Sequence, residues 1–233
     1  MELVRARWQA VIGTEGVFDP WAELQREVGR PLDPSLEARR RARRDELQAA
    51  YAPRAGVLEW LSQADRLGLP VAVASSSPAG WVEGHLDRLG LADRFALLVC
   101  RTDLIPPKPD PTSYREACYR LGANPRWSVA VEDSTHGVAA AVTAGLFTVA
   151  VPHALTVDLD LSAADVLVAS LDVLTLTEAL ALARERAAAA APAPAPARAP
   201  ARAPTRAPAR APARVPARAD ERLSPSRRPP DLV

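Results

Sequence analysis

Residues 128–145 read SVAVEDSTHGVAAAVTAG: three apolar residues, Val129 to Val131, then Glu132 and Asp133, a short polar turn, and an alanine-rich run closed by Gly145. An apolar run bounded by polar turn residues suits a strand of a parallel sheet covered on both faces. Ligands of such sheets gather beyond the carboxyl ends of the strands, and Glu132 and Asp133 stand at that end. Adjacent carboxylates repel each other, a cation offsets the repulsion, and oxygen ligands favour Mg²⁺. Asp133 or Ser134 also suits the cap of the helix that follows, and the stretch alone leaves both readings open.

Outward from this stretch the chain alternates helices with apolar strands from Pro53 onward. The spacing predicts a helix over 55–67 ended by Gly68, a strand over 70–74 running into Ser75, Ser76 and Ser77, and a helix over 79–89 stopped by Gly90. A strand over 95–100, the loop RTDLIPPKPDP, and a helix opened by Asp110-Pro111 and ended at Gly122 follow. After Gly145 come strands over 147–151 and 165–169 and a last helix from about Val173. Strands alternating with helices of this length build βαβ units and a mostly parallel sheet. The fold class is therefore α/β, a doubly wound core over residues 53–186.

Residues 1–52 read as helical and irregular rather than sheet-forming. Asp19-Pro20 and Asp33-Pro34 each place an N-capping aspartate before a proline in the first turn, giving helices from Pro20 to about Val28 and from Pro34 to about Tyr51. Asp19 precedes a proline and has no second aspartate two residues on, so capping accounts for it better than nucleophilic chemistry. Arg39, Arg40, Arg41, Arg43 and Arg44 make the second helix basic, which reads as a solvated face.

Of the 233 residues, 29 are lysine or arginine and 28 are acidic, a formal net charge of +1. The tail from Ala187 holds nine arginines against Asp220, Glu221 and Asp231, so the rest of the chain is mildly acidic, which argues against a nucleic-acid-binding core. That tail repeats Ala, Pro and Arg with a near four-residue period and lacks bulky apolar residues, so 187–233 is expected to be disordered with polyproline character. Cys100 and Cys118 form no close pair that would mark a disulfide framework or zinc site, and a reducing cytoplasm fits. No membrane span is expected, because no apolar stretch reaches about 18 residues.

Lys108 is the sole lysine in this arginine-rich chain, and a compact ammonium is not interchangeable with a guanidinium. Ser75 and Ser76, at the end of one strand, offer hydrogen-bond donors to a phosphoryl oxygen; Lys108 adds positive charge, and Glu132 with Asp133 a cation site. Phosphoryl transfer needs chiefly positioning and charge neutralisation, so the set is coherent with it.

The segments VAVASSSP, PPKPDP and VAVEDSTHG, in this order on successive βα units, resemble motifs II, III and IV of the haloacid dehalogenase superfamily, most closely its β-phosphoglucomutase-like phosphatases with a helical cap. The resemblance implies that Ser75 binds phosphate, Lys108 anchors phosphate and nucleophile, Asp133 ligates Mg²⁺, and Glu132 supports the metal directly or through water. It implies a small phosphorylated substrate, with 1–52 as a partial helical cap, and gives His136 no catalytic role. Motif I of that superfamily, an Asp-x-Asp whose first aspartate is the nucleophile, has no counterpart before the cap; Asp158 and Asp160 have the spacing but follow motif IV in a polar loop.

Loss of a central strand would orphan backbone groups at about 1 to 3 kcal/mol each. The expectation is therefore that Met1 is not the natural start and that an upstream segment carries the strand and nucleophile of a phosphatase working through an aspartyl-phosphate. The alternative is a catalytically inactive remnant that binds a phosphorylated ligand or a protein partner.

Overall fold

In the computed structural model, the described residues are 9, 12 and 19–190. The expectations for most of the first 18 residues of the 1–52 cap and for nearly all of the 187–233 Ala/Pro/Arg tail lie outside them.

Two helices come first, α1 (Pro20–Val28) and α2 (Pro34–Ala49). Both begin as their Asp-Pro pairs require: the Asp19 carboxylate accepts from Trp21 N–H and the Asp33 carboxylate from Ser35 N–H, each at 2.9 Å. No residue of α2 is buried, and Arg41, Arg43 and Arg44 pair with Glu37, Glu46 and Asp45 of the same helix, so its basic run is a solvated face. A link from the core reaches its end, where the Arg88 guanidinium donates to Tyr51 O at 2.9 Å.

The α/β region follows in the order α3 (Val57–Leu67), β1 (Ala72–Ala74), α4 (Ala79–Leu89), β2 (Leu97–Val99), α5 (Thr112–Leu121), β3 (Val129–Glu132), α6 (Thr135–Ala144), β4 (Phe147–Ala150), β5 (Val166–Leu167) and α7 (Leu176–Ala189). All pairings between these strands are parallel. The strands are shorter than their apolar runs, because the ladder stops where the chain turns out toward loops at the strand ends.

β3 and β4 are packed on both faces. On one, Trp60 and Ala64 of α3 and Ala179 and Ala183 of α7 pack with Phe147, Val149 and Leu171. On the other, Tyr114 and Cys118 of α5 and Ala140, Ala141 and Ala144 of α6 pack with Ala130. The small alanines let α6 lie close against β3, and the Trp60 indole N–H is satisfied by Leu174 O at 2.7 Å. Gly56, at the N-terminus of α3, has φ +83° and lies so close to the Leu171 backbone that a Cβ would overlap it. Glycine there serves both the left-handed conformation and the close approach.

One expected sheet resolves into two ladders, β1–β2 and β3–β4–β5. Among the described residues β1 and β3 do not pair, although the ammonium of Lys108 touches the last residue of each, Ala74 and Glu132. No described helix is long and apolar enough to cross a membrane.

Candidate active site

The carboxyl ends of β1 and β3 and the loop between β2 and α5 bring the candidate residues to one end of the α/β region. α6 is capped by Ser134, whose hydroxyl accepts from Gly137 N–H at 3.1 Å. With capping accounted for by Ser134, the Asp133 carboxylate is not consumed by the helix.

Lys108 is 7% exposed. Its loop is pinned from β1, because the Lys108 N–H donates to Ser76 Oγ at 3.0 Å. The Nζ donates to Glu132 Oε1 at 2.5 Å, Ala74 O at 2.9 Å and the Tyr114 hydroxyl at 3.3 Å. An ammonium has three hydrogens, and each meets an acceptor of this chain. The Tyr114 hydroxyl in turn donates to the same Glu132 oxygen, while Glu132 Oε2 accepts from Asp133 N–H at 3.2 Å. Burial, reinforced by the Glu132 charge and this hydrogen bond, pushes the Tyr114 phenol well above the usual tyrosine range. Gly137 presses on the other side of the Glu132 carboxylate, where any Cβ would overlap it.

Asp133 has a different environment. Its side chain keeps 47% exposure, and His153 Nε2 lies 3.3 Å from Oδ2. Burial of part of the group pushes its carboxyl above the ordinary carboxylate range and the Glu132 charge adds to this; His153, Lys108 and Arg54 act in the opposite direction. The neighbouring carboxylates thus divide: Glu132 is spent inside the protein on Lys108 and Tyr114, and Asp133 faces outward.

Lys108, Glu132 and Asp133 line one cavity of about 250 Å³, whose apolar wall includes Val57, Val131, Val151 and Leu171 and whose rim includes Arg54. Ser75 and Ser76 do not line it. Ser75 Oγ accepts from Ser77 N–H at 3.1 Å, shaping the turn after β1, and Ser76 acts on Lys108 as described. Among the described residues, no group of three or more His, Cys, Asp or Glu side chains is placed to hold a metal ion. One outward carboxylate is nevertheless compatible with Mg²⁺, which keeps several waters and is commonly bound through one or two carboxylates plus substrate phosphate.

Three residues at this end escaped the sequence reading. Tyr114 is an aromatic in the first turn of α5, six residues after Lys108. Arg54 donates to Val151 O at 2.9 Å and Pro152 O at 2.7 Å, clamping the end of β4. His153 follows directly. The available signal was positional: VPH closes the apolar run of β4 as Glu132-Asp133 closes that of β3.

This geometry can be set beside known proteins. The family model described as "Haloacid dehalogenase-like hydrolase" matches residues 21–151. The Bacillus subtilis (strain 168) "Putative phosphatase YhcW" is 38% identical over 150 residues, 64% of this chain and 68% of the relative. The validoxylamine A 7'-phosphate phosphatase of Streptomyces hygroscopicus subsp. limoneus is 34% identical over 94 residues, 40% of this chain and only 44% of that protein. Among solved structures, CbbY from Rhodobacter sphaeroides in complex with phosphate superposes with a TM-score of 0.55 at 25% identity, over 76% of this chain and 91% of that one. A match over more than half of the sequence, on an α/β framework with its charged residues at the strand ends, decides the family: the chain belongs to the haloacid dehalogenase-like hydrolases.

Proposed function

We propose that this chain forms the core of a Mg²⁺-dependent phosphatase acting on small phosphorylated metabolites, sugar phosphates among them. The observation that carries the reading is the convergence of Lys108, Glu132 and Asp133 on one cavity at the carboxyl ends of parallel strands. Relatives named as phosphatases and the phosphate complex of a structural neighbour support the substrate class. In this reading α1 and α2 are part of a helical cap that selects the substrate.

The roles follow from the contacts. Asp133 offers its outward carboxylate to the cation, which when bound neutralises charge on the phosphoryl oxygens. Glu132 does not reach for that cation; it fixes Lys108, with Tyr114 as the second donor on the same oxygen. Lys108 has no spare N–H, so engaging a phosphoryl oxygen requires it to exchange an acceptor. Exchange at Ala74 O would leave the ion pair with Glu132 whole. Ser75 and Ser76 shape the turn after β1 and hold the lysine loop. In this reading the attacking group is an aspartate outside the described residues: its carboxylate bonds to phosphorus as the P–O bond to the substrate alcohol breaks, and water then hydrolyses the aspartyl-phosphate.

A second reading has a specific observation in its favour: the full satisfaction of Lys108 suits a non-catalytic remnant that binds a phosphorylated ligand or a protein partner. Hydrolysis of p-nitrophenyl phosphate with Mg²⁺ separates the two, comparing the 233-residue chain with an in-frame N-terminally extended form. Turnover by the extended form that is lost in its Lys108→Ala variant supports the phosphatase. Two folded, inactive proteins would leave the binding remnant as the better account.

A further inference from the structure

His153 enters the site from a turn built to hold it. Its backbone N–H donates to Thr156 Oγ1 at 3.0 Å, and Thr156 is fully buried. Thr156 N–H and Val157 N–H return to His153 O, both at 2.8 Å. The two carbonyls immediately before it, of Val151 and Pro152, are held by the Arg54 guanidinium. Backbone position is therefore fixed on both sides of the residue.

The ring is oriented as well. Leu155 N–H donates to His153 Nδ1 at 3.1 Å. A nitrogen that accepts carries no hydrogen, so the hydrogen of the neutral imidazole sits on Nε2. Nε2 is the atom 3.3 Å from Asp133 Oδ2. The ring thus holds its Nε2 within ion-pair distance of one carboxylate oxygen, 3.3 Å from Oδ2, so the contact falls on that oxygen of the carboxylate.

We infer that His153 is a positioning residue for Asp133: with its ring oriented by Leu155, Nε2 stands beside Oδ2 and biases the carboxylate to offer Oδ1 to a bound cation. The inference rests on the proposed reading of Asp133 as a cation ligand. Partners that orient a ligating carboxylate typically change metal affinity or activity by about 10 to 100 fold when removed. His153 acts through Asp133 and has no assigned contact with substrate.

The test uses the 233-residue chain and its in-frame N-terminally extended form, with Mn²⁺ alone as probe. Long-range proton–nitrogen correlations of the three imidazoles report the tautomer directly, and the electron-spin-resonance signal of free Mn²⁺ reports its binding. The expected results are an Nε2–H tautomer for His153, a Kd for Mn²⁺ about tenfold weaker in His153→Ala, and partial recovery in His153→Gln, whose amide keeps an N–H. Both variants should retain the wild-type melting temperature within a few degrees, and His153→Gln serves if the alanine variant does not fold. An Nδ1–H tautomer, or a Kd unchanged in both variants, would overturn the inference and leave the cation reading of Asp133 standing. Absence of Mn²⁺ binding by both the 233-residue chain and its in-frame N-terminally extended form, with the Nε2–H tautomer still observed, would overturn the cation reading itself and this inference with it.

Discussion

Lys108 and Arg41 each face a glutamate, and the two pairs differ in almost everything else. Lys108 and Glu132 keep 9% and 6% side-chain exposure and come from segments 24 residues apart. Arg41 and Glu37 keep 60% and 29% and sit one helical turn apart on α2. In the first pair the low-dielectric surroundings strengthen the attraction but remove both ions from water, so every remaining hydrogen needs a partner. Tyr114 and Ala74 O supply those partners. In the second, water screens the pair and can replace either partner. A count of ion pairs says little about what holds this molecule; burial decides which of them matter.

The largest break in that comparison is Lys108→Ala. Removing the cation leaves Glu132 buried without its counter-charge, and breaking a buried pair in this way costs about 3 to 5 kcal/mol. Replacing both partners at once, Lys108→Met with Glu132→Leu, removes both desolvation costs and should recover much of the loss. Urea unfolding of the three proteins measures this. A single variant as stable as wild type would show that water reaches the pair and that the contrast with α2 is false.

Tyr114→Phe sharpens the same contrast with a smaller effect. It deletes the hydroxyl that donates to the Glu132 carboxylate and accepts from the Lys108 ammonium, and a hydrogen bond to a charged group contributes about 1.5 to 3 kcal/mol. The variant also changes the response to alkali. The Tyr114 pKa is raised in the folded protein, so the stability gained by keeping its proton is fully present below the unfolded value of 10.0 and is lost as pH rises past it. Urea midpoints taken between about pH 9 and pH 11 should fall more steeply for wild type than for Tyr114→Phe. Equal slopes would place the phenol in contact with solvent.

The same division explains what the sequence made legible. The Asp19 and Asp33 caps, the helix stops at Gly68, Gly90, Gly122 and Gly145, and the parallel βα order are written in neighbouring residues, and the structure follows them within a few positions. Lys108 stood out because it is the sole lysine, and Glu132-Asp133 because acids ended an apolar strand. The different fates of those two carboxylates were not legible, since they depend on Tyr114, Gly137 and His153, residues that meet them only after α5 and β4 pack beside β3. Arg54 was hidden for the same reason: its carbonyl partners lie 97 and 98 residues away in the chain. The two separate ladders were also invisible, because strand order is a property of packing and not of any one apolar run.

Arg41→Ala is the smallest effect and the other half of the comparison. An exposed i,i+4 pair contributes about 0.3 to 0.5 kcal/mol, and the Arg41 guanidinium donates to Glu37 on its own helix. With no residue of α2 buried, the deletion removes no packing that could enlarge the loss. The stability difference should shrink further as salt is raised, because screening acts on exposed charges first, whereas that of Lys108→Ala should hardly respond. Urea midpoints of both variants at low and at high salt provide the measurement. A loss for Arg41→Ala above about 1 kcal/mol lies outside what an isolated surface pair provides. It would mean that this face of α2 is covered in solution, and that its arginines do more than keep the helix in water.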